Sequence, residues 1–173
     1  MKIDFKNINY LKFGNSNQKE IYRIVKENNI LEILNDYNPI IVGTFPININ
    51  IDNSDIDIIL QVKNFKSLVD LLKENFSKFK NFNLNLLENN ILVCNFKIES
   101  YPFEIFAQNL DTEKQYGYLH MIKEYEILLE KDEFFAAKIR NLKRNGIKTE
   151  PAFCELLNIK GDPYIELLNY KVK

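Results

Sequence analysis

Two carboxylates separated by one residue carry the strongest chemical signal in this chain. Asp55-Ile56-Asp57 leads into an apolar run, Ile56 to Val62. On a strand, residues i and i+2 share a face. Asp55 and Asp57 therefore project side by side, about 7 Å apart at the backbone, while Ile56 and Ile58 point into the core. Two such acids repel one another, and a cation between them removes that cost. Hard oxygen donors at this spacing suit Mg²⁺ or Mn²⁺. Upstream, Ile40-Ile41-Val42 reads as a short buried strand that ends at Gly43-Thr44. A glycine at such a turn lets backbone N–H groups approach a phosphate, and the Thr44 hydroxyl adds a hydrogen bond. An isolated Asp-x-Asp is usually a solvated turn ahead of an edge strand. A buried strand, Gly-Thr, a ten-residue spacer and Asp-x-Asp entering an apolar strand form a rarer combination.

This segment resembles the signature of the nucleotidyltransferase superfamily, the DNA-polymerase-β-like fold: apolar-Gly-[Gly/Ser], a spacer, then Asp-x-[Asp/Glu] followed by apolar residues. More closely, the chain resembles a small bacterial family of uncharacterised nucleotidyltransferase-like proteins. The shared stretches are Tyr10-Leu11-Lys12 with Gly14 and Gln18, Gly43-Thr44-x-Pro46-Ile47, Ser54-Asp55-Ile56-Asp57-Ile58, Gly146-Ile147-Lys148-Thr149-Glu150-Pro151-Ala152-Phe153 and Gly161-Asp162-Pro163-Tyr164. The resemblance implies transfer of a nucleotidyl group from a nucleoside triphosphate to an acceptor. In that reading Asp55 and Asp57 hold Mg²⁺ or Mn²⁺ in a two-metal site, and Gly43, Thr44 and Ser54 cradle phosphate. It also implies a third carboxylate on a neighbouring strand. Tyr101 to Phe106 offers Glu104, the one acid in an otherwise apolar segment, with Phe103 and Ile105 facing the other way. Glu104 is then metal ligand or general base; its plain alternative is an edge-strand surface glutamate, and Glu99 replaces it if the register shifts.

The chain departs from the superfamily pattern in three ways. Thr44 stands where Ser or Gly is usual. Residues 45–54 contain no Arg or Lys. Ile47, Ile49 and Ile51 alternate with Asn48, Asn50 and Asp52, which predicts a strand where several relatives have a short helix.

A triphosphate site needs positive charge. Lys138, Arg140, Lys143, Arg144 and Lys148 form the densest basic cluster, and no acid interrupts residues 134–149. Lys143 and Lys148 are the candidate phosphate contacts; the competing reading is a solvated basic face that favours a helix C-terminus. His120 is the one histidine and lies at i, i+4 from Glu124, so the two share a helix face. The pair reads as a structural contact, a general base or, with too few ligands for zinc, a metal site. Thr149-Glu150-Pro151 reads as a helix start, with Thr149 as N-cap and Pro151 in the first turn.

These residues must be positioned by a mixed scaffold. Apolar periodicity predicts a helix over 17–37 capped by Ser16 or Asn17, a helix over 65–79, strands at 40–42, 56–62, 81–87, 90–98 and 101–107, and helices near 113–130, 132–145, 151–158 and 163–169. Gly146 and Gly161 are expected helix stops. The order implies an α+β (α/β) fold, a mixed sheet flanked by helices with a helical C-terminal part: a core over 1–110 and a helical subdomain over 111–173, packed as one unit.

Composition bounds the partners. With 23 basic and 24 acidic residues in 173, the net charge is -1, unlike the strongly basic chains that bind duplex nucleic acid through bulk charge. No apolar stretch reaches membrane-spanning or signal-peptide length. Cys94 and Cys154 are far apart and outside any C-x-x-C spacing, as expected for free thiols in a cytoplasmic protein. Calcium-loop, Walker A, G-x-G-x-x-G and H-E-x-x-H patterns are absent. Two further function classes stay open: an idle nucleotidyltransferase fold that binds a nucleotide or anion, and one member of a toxin–antitoxin-type pair.

Overall fold

The computed structural model describes residues 3–87 and 89–172. Its first helix, α1 (Ser16–Glu27), is started by Asn15. The Asn15 side chain accepts from the Gln18 N–H at 2.9 Å, and the Gln18 side chain accepts from the Asn15 N–H at 3.1 Å. This reciprocal pair satisfies two of the backbone donors that a helix start leaves free, so the cap is Asn15, ahead of the predicted Ser16 or Asn17. The predicted helix over 17–37 is broken: Asn29 adopts φ 51°, and only α2 (Ile30–Ile33) and a 3₁₀ turn at Asn35–Tyr37 follow.

The strands are β1 (Ile40–Val42), β2 (Ile56–Gln61), β3 (Lys80–Leu87), β4 (Ile91–Ile98) and β5 (Tyr101–Gln108), and α3 (Phe65–Phe76) follows β2. They form one sheet in the order β1-β2-β5-β4-β3, with β2 and β5 parallel and the other neighbours antiparallel. Residue alternation gives the sheet two faces. Ile56, Ile58 and Leu60 of β2, Phe103, Ile105 and Ala107 of β5, and Leu92, Cys94 and Phe96 of β4 share one buried cluster with Ile21 and Ile24 of α1 and Leu68, Leu72 and Phe76 of α3. Phe96 is sandwiched there between Phe76 and Phe103, with ring centroids 5.0 and 5.1 Å away. Burying aromatic side chains of this size contributes about 1.5–3 kcal/mol each, which fixes the register of the strands that carry the acids.

On the opposite face Ile40 and Val42 of β1 and Ile59 of β2 pack against the C-terminal helices: α4 (Tyr116–Glu130), α5 (Glu133–Arg144), α6 (Thr149–Leu157) and α7 (Pro163–Asn169). Met121, Ile127, Ile139 and Phe153 supply their buried side. The result is the expected α+β fold, a mixed sheet flanked by helices with a helical C-terminal part.

Three local expectations are corrected. The Ile47/Ile49/Ile51 alternation is not a strand. Residues 44–48 make one helix-like turn: the Asn48 N–H donates to the Phe45 carbonyl at 3.2 Å and the Ile49 N–H to the Thr44 carbonyl at 3.0 Å, with Asn48 at φ 60°. That is the closing pattern of a helix C-terminus, and it buries Ile47 and Ile49 under α5 and α6 rather than along a sheet. The N-cap of α6 is Lys148, not Thr149, and no side chain caps it. Gly146, at φ 88°, stops α5 as expected, but α6 stops at Asn158, at φ 56°, not at Gly161. Both cysteines are free and buried. Among the described residues no helix is long and apolar enough to cross a membrane.

Candidate active site

One row across the sheet builds the site. Val42 of β1 pairs with Asp57 of β2, Asp57 pairs with Glu104 of β5, and Glu104 pairs with Asn95 of β4. Neighbouring strands lie about 4.8 Å apart, so the Asp57 and Glu104 carboxylates emerge beside each other. They do so on the face opposite the Ile56/Ile58 and Phe103/Ile105 core, as the alternation predicts. Glu104 accepts from Asn95 Nδ2 at 3.2 Å, which orients it.

Gly43 closes the row. Its φ is 76°, a conformation that L side chains adopt at a cost, and a Cβ placed on it would lie 2.2 Å from Asp57 Oδ2. Only glycine leaves space for the Asp57 carboxylate over the turn. Burial first, then the negative charges of Glu104 and Asp55, push the Asp57 carboxyl up to about 7, with Lys143 opposing the shift. Asp57 therefore stands in a negative field that the chain does not fully compensate. Asp55 is exposed in the lead-in to β2. It adds to that field but does not line the cavity.

That cavity holds about 470 Å³. Gly43, Thr44, Asp57 and Glu104 form one wall; His120, Glu124 and Glu150 stand on another, and Val42, Ile59, Phe106 and Met121 supply apolar surface. Ser54 ties the spacer together: its Oγ accepts from the Ile51 N–H at 2.9 Å and lies 3.5 Å from Thr44 Oγ1.

The basic cluster divides. Lys143 Nζ donates to the Ile49 carbonyl at 2.8 Å and Arg140 to the Asn48 carbonyl at 2.9 Å, so α5 clamps the spacer between Thr44 and Asp55. Burial pulls the Lys143 ammonium down to about 8 against the opposing charges of Glu124, Asp57 and Glu150. Lys138 lies over the Phe134 ring, 4.6 Å from its centroid. Lys148 is exposed and away from the cavity lining. Glu99, the alternative third acid, sits in the β4–β5 turn at φ 54° and pairs with Arg23 at 2.8 Å, far from this arrangement in role.

His120 and Glu124 of α4 are both buried, 6% and 3% exposed. Burial lowers the His120 pKa, opposed by the charge of Glu150 and the backbone of Tyr164. Burial and Glu150 raise that of Glu124 well above the ordinary range. Glu150 enters from the first turn of α6. Sequence reasoning undervalued it because Thr-Glu-Pro explains itself as a helix start, where an acid is favoured anyway. Gln115, which anchors the start of α4 through Nε2 to the Leu60 carbonyl at 2.9 Å and lines the cavity, carried no sequence signal.

The family model described as "Domain of unknown function (DUF4269)" matches residues 23–170. The chain belongs to the DUF4269 family. Comparison with curated proteins finds no match. Among solved structures, this DUF4269 chain is similar to the Cid1 poly(U) polymerase in a MgATP-bound mutant form, with TM-score 0.60 and 11% identity over 92% of this chain and 54% of that one. It is similar to a cytoplasmic RNA terminal U-transferase, with TM-score 0.57 and 12% identity over 75% of this chain and 40% of that one. It is also similar to a chain of the GLD-2/RNP-8 complex, with TM-score 0.54 and 13% identity over 83% of this chain and 57% of that one. The DUF4269 chain thus spans about half the length of these neighbours. The shared fold is that of polymerase-β-like nucleotidyltransferases.

Proposed function

We propose that this DUF4269 protein is a metal-dependent nucleotidyltransferase, moving a nucleotidyl group from a nucleoside triphosphate to an acceptor hydroxyl. The observation that carries the reading is the parallel pairing of Asp57 with Glu104 beside a left-handed Gly43 turn. The donor set fits a hard divalent ion. Asp57 and Glu104 offer carboxylate oxygens, neither makes an ion pair among the described residues, and burial, followed by the charges of Glu104 and Asp55, raises the Asp57 pKa. Asp57 and Glu104 would hold Mg²⁺ or Mn²⁺, with Asp55 joining from the rim. Bound there, the ion would neutralise triphosphate charge and stabilise the developing charge of the transfer.

The chain's own residues do the rest. The Gly43 turn presents backbone N–H groups to phosphate, and Thr44 adds its hydroxyl, kept in place by Ser54. Lys143 supplies positive charge from beneath the spacer. Glu104, oriented by Asn95, takes the proton of the acceptor hydroxyl. The acceptor oxygen then bonds the α-phosphorus as the bond to the β-phosphate breaks, and pyrophosphate leaves. The similar structures include Cid1 with a UTP analogue, with MgATP and with its short product ApU; a nucleotide donor is the part of that chemistry this cavity supports. The free thiols of Cys94 and Cys154 support action in a reducing compartment such as the cytoplasm.

A binding-only protein is the second reading. It is favoured by one observation: Lys143, the cation nearest the acids, is already committed to the Ile49 carbonyl. The experiment is incubation with each α-labelled ATP, GTP, CTP and UTP, Mg²⁺ or Mn²⁺, and a small-molecule extract as acceptor source. A labelled product with release of pyrophosphate supports the transferase. Nucleotide binding without any product supports the second reading.

A further inference from the structure

The His120, Glu124 and Glu150 cluster is not used by the reaction above, and its chemistry differs from that of the Asp57/Glu104 pair. One ligand atom from each of these three residues lies within 4.8 Å of the others. Two come from one face of α4, at i and i+4, and the third from the first turn of α6. All three line the main cavity, and His120 and Glu150 also line a second recess of about 430 Å³ with Tyr116, Tyr164 and Ile165.

The cluster is incomplete as a purely protein structure. His120 is 6% exposed, and among the described residues its buried Nδ1 has no hydrogen-bond partner. A buried polar atom in that state is costly. Glu124, 3% exposed, has no ion pair among the described residues, and Glu150 presents a second carboxylate to the same space. Lys143 lies within electrostatic range of both glutamates, but its Nζ is bonded to the Ile49 carbonyl. Among the described residues, an imidazole nitrogen without a partner and two carboxylates outside any ion pair converge on one space, which suits a positively charged electron-pair acceptor.

We infer that His120, Glu124 and Glu150 form a second metal site, for a borderline divalent transition ion of the Zn²⁺ type, separate from the Mg²⁺-type site at Asp57 and Glu104. One nitrogen and two oxygen donors match the preferences of such an ion and not those of Mg²⁺, which takes oxygen ligands. Ligand atoms around a tetrahedral ion at about 2.0–2.1 Å lie roughly 3.4 Å apart, so the cluster closes by rotamer adjustment of the two glutamates. Three protein ligands would leave one coordination position, and all three residues line the cavity. The recess beyond His120 and Glu150 gives the ion a route in. This site does not depend on the transferase reading.

The test uses the intact chain. Because His120 is the only histidine, the imidazole resonances of the ¹⁵N-labelled wild type report this site alone. Zn²⁺ should shift them at stoichiometric addition in saturating Mg²⁺. Co²⁺ in its place should develop a visible ligand-field band. His120→Asn and Glu150→Gln should each weaken Zn²⁺ affinity by more than about tenfold, with far-ultraviolet circular dichroism confirming the fold, while Asp57→Asn keeps the affinity within about threefold. Unshifted imidazole resonances in the wild type would overturn the inference. So would Zn²⁺ binding that survives His120→Asn but is lost in Asp57→Asn. Neither outcome bears on nucleotide turnover, which is read separately.

Discussion

Replacing Gly43 by alanine separates two costs that the structure places at one residue. The first is backbone strain: φ is 76°, and a non-glycine residue pays about 1–2 kcal/mol there. The second is collision, since the new Cβ would stand 2.2 Å from Asp57 Oδ2 and 3.2 Å from its Cγ. Ordinary contact begins near 3.4 Å, so the carboxylate must move by more than an ångström. Forced movement of this kind typically costs about 1–3 kcal/mol. Gly146→Ala is the internal control, because Gly146 has φ 88° but nothing within 4 Å of its Cβ position. Urea unfolding at fixed pH, without metal, should show Gly43→Ala less stable than Gly146→Ala by about 1–3 kcal/mol, and each kcal/mol corresponds to about 2–4 °C in Tm for a chain of this size. In an Asp57→Ala background that excess should disappear, giving a coupling energy of at least about 1 kcal/mol. Equal destabilisation by the two alanines, or an excess that persists without Asp57, would refute the claim that the turn is shaped around this carboxylate.

Two further outcomes follow from the same geometry. Burial holds the Lys143 ammonium near 8 in the folded chain against 10.5 when free. Between those values the unfolded chain binds more protons, so this residue makes stability rise with pH from about 8 to 10.5. Lys143→Met should flatten that rise in urea titrations at successive pH values; an unchanged slope would mean that the amine is solvated. Glu99→Ala should leave nucleotidyl transfer at the wild-type rate and shift stability by no more than about 1 kcal/mol, because Glu99 serves the exposed Arg23 pair. A large loss of turnover would return Glu99 to the site.

Much of the site was legible because a strand's period of two is rigid. Asp57 and Glu104 each stand alone between inward apolar residues, so their face could be assigned without coordinates. Their meeting was implied by the family resemblance alone. Asp57 and Glu104 are paired by parallel contact between strands separated by α3, β3 and β4, and no local pattern encodes a non-local register. The same period misled at Ile47, Ile49 and Ile51, where a closing helical turn buries alternate residues by a different route. Asparagine carries no motif in the sequence, yet seven of the eight described non-glycine residues with positive φ are Asn: 29, 38, 48, 81, 89, 90 and 158. In a chain with five glycines, Asn takes the left-handed positions, including the break after α1 and the stop of α6. Glu150 was obscured for a related reason, since a helix start accounts for it without any cavity.

The central claim is that the Asp57–Glu104 pair performs metal-dependent nucleotidyl transfer. The most direct measurement is single-turnover transfer from the preferred α-labelled triphosphate, with Mg²⁺ or Mn²⁺, in wild type, Asp57→Asn and Glu104→Gln. Metal-dependent product is expected in the wild type, with losses of at least about a hundredfold in each variant and both variants folded. Product formed at near wild-type rate by Asp57→Asn, or by the wild type with the metal chelated, would contradict it.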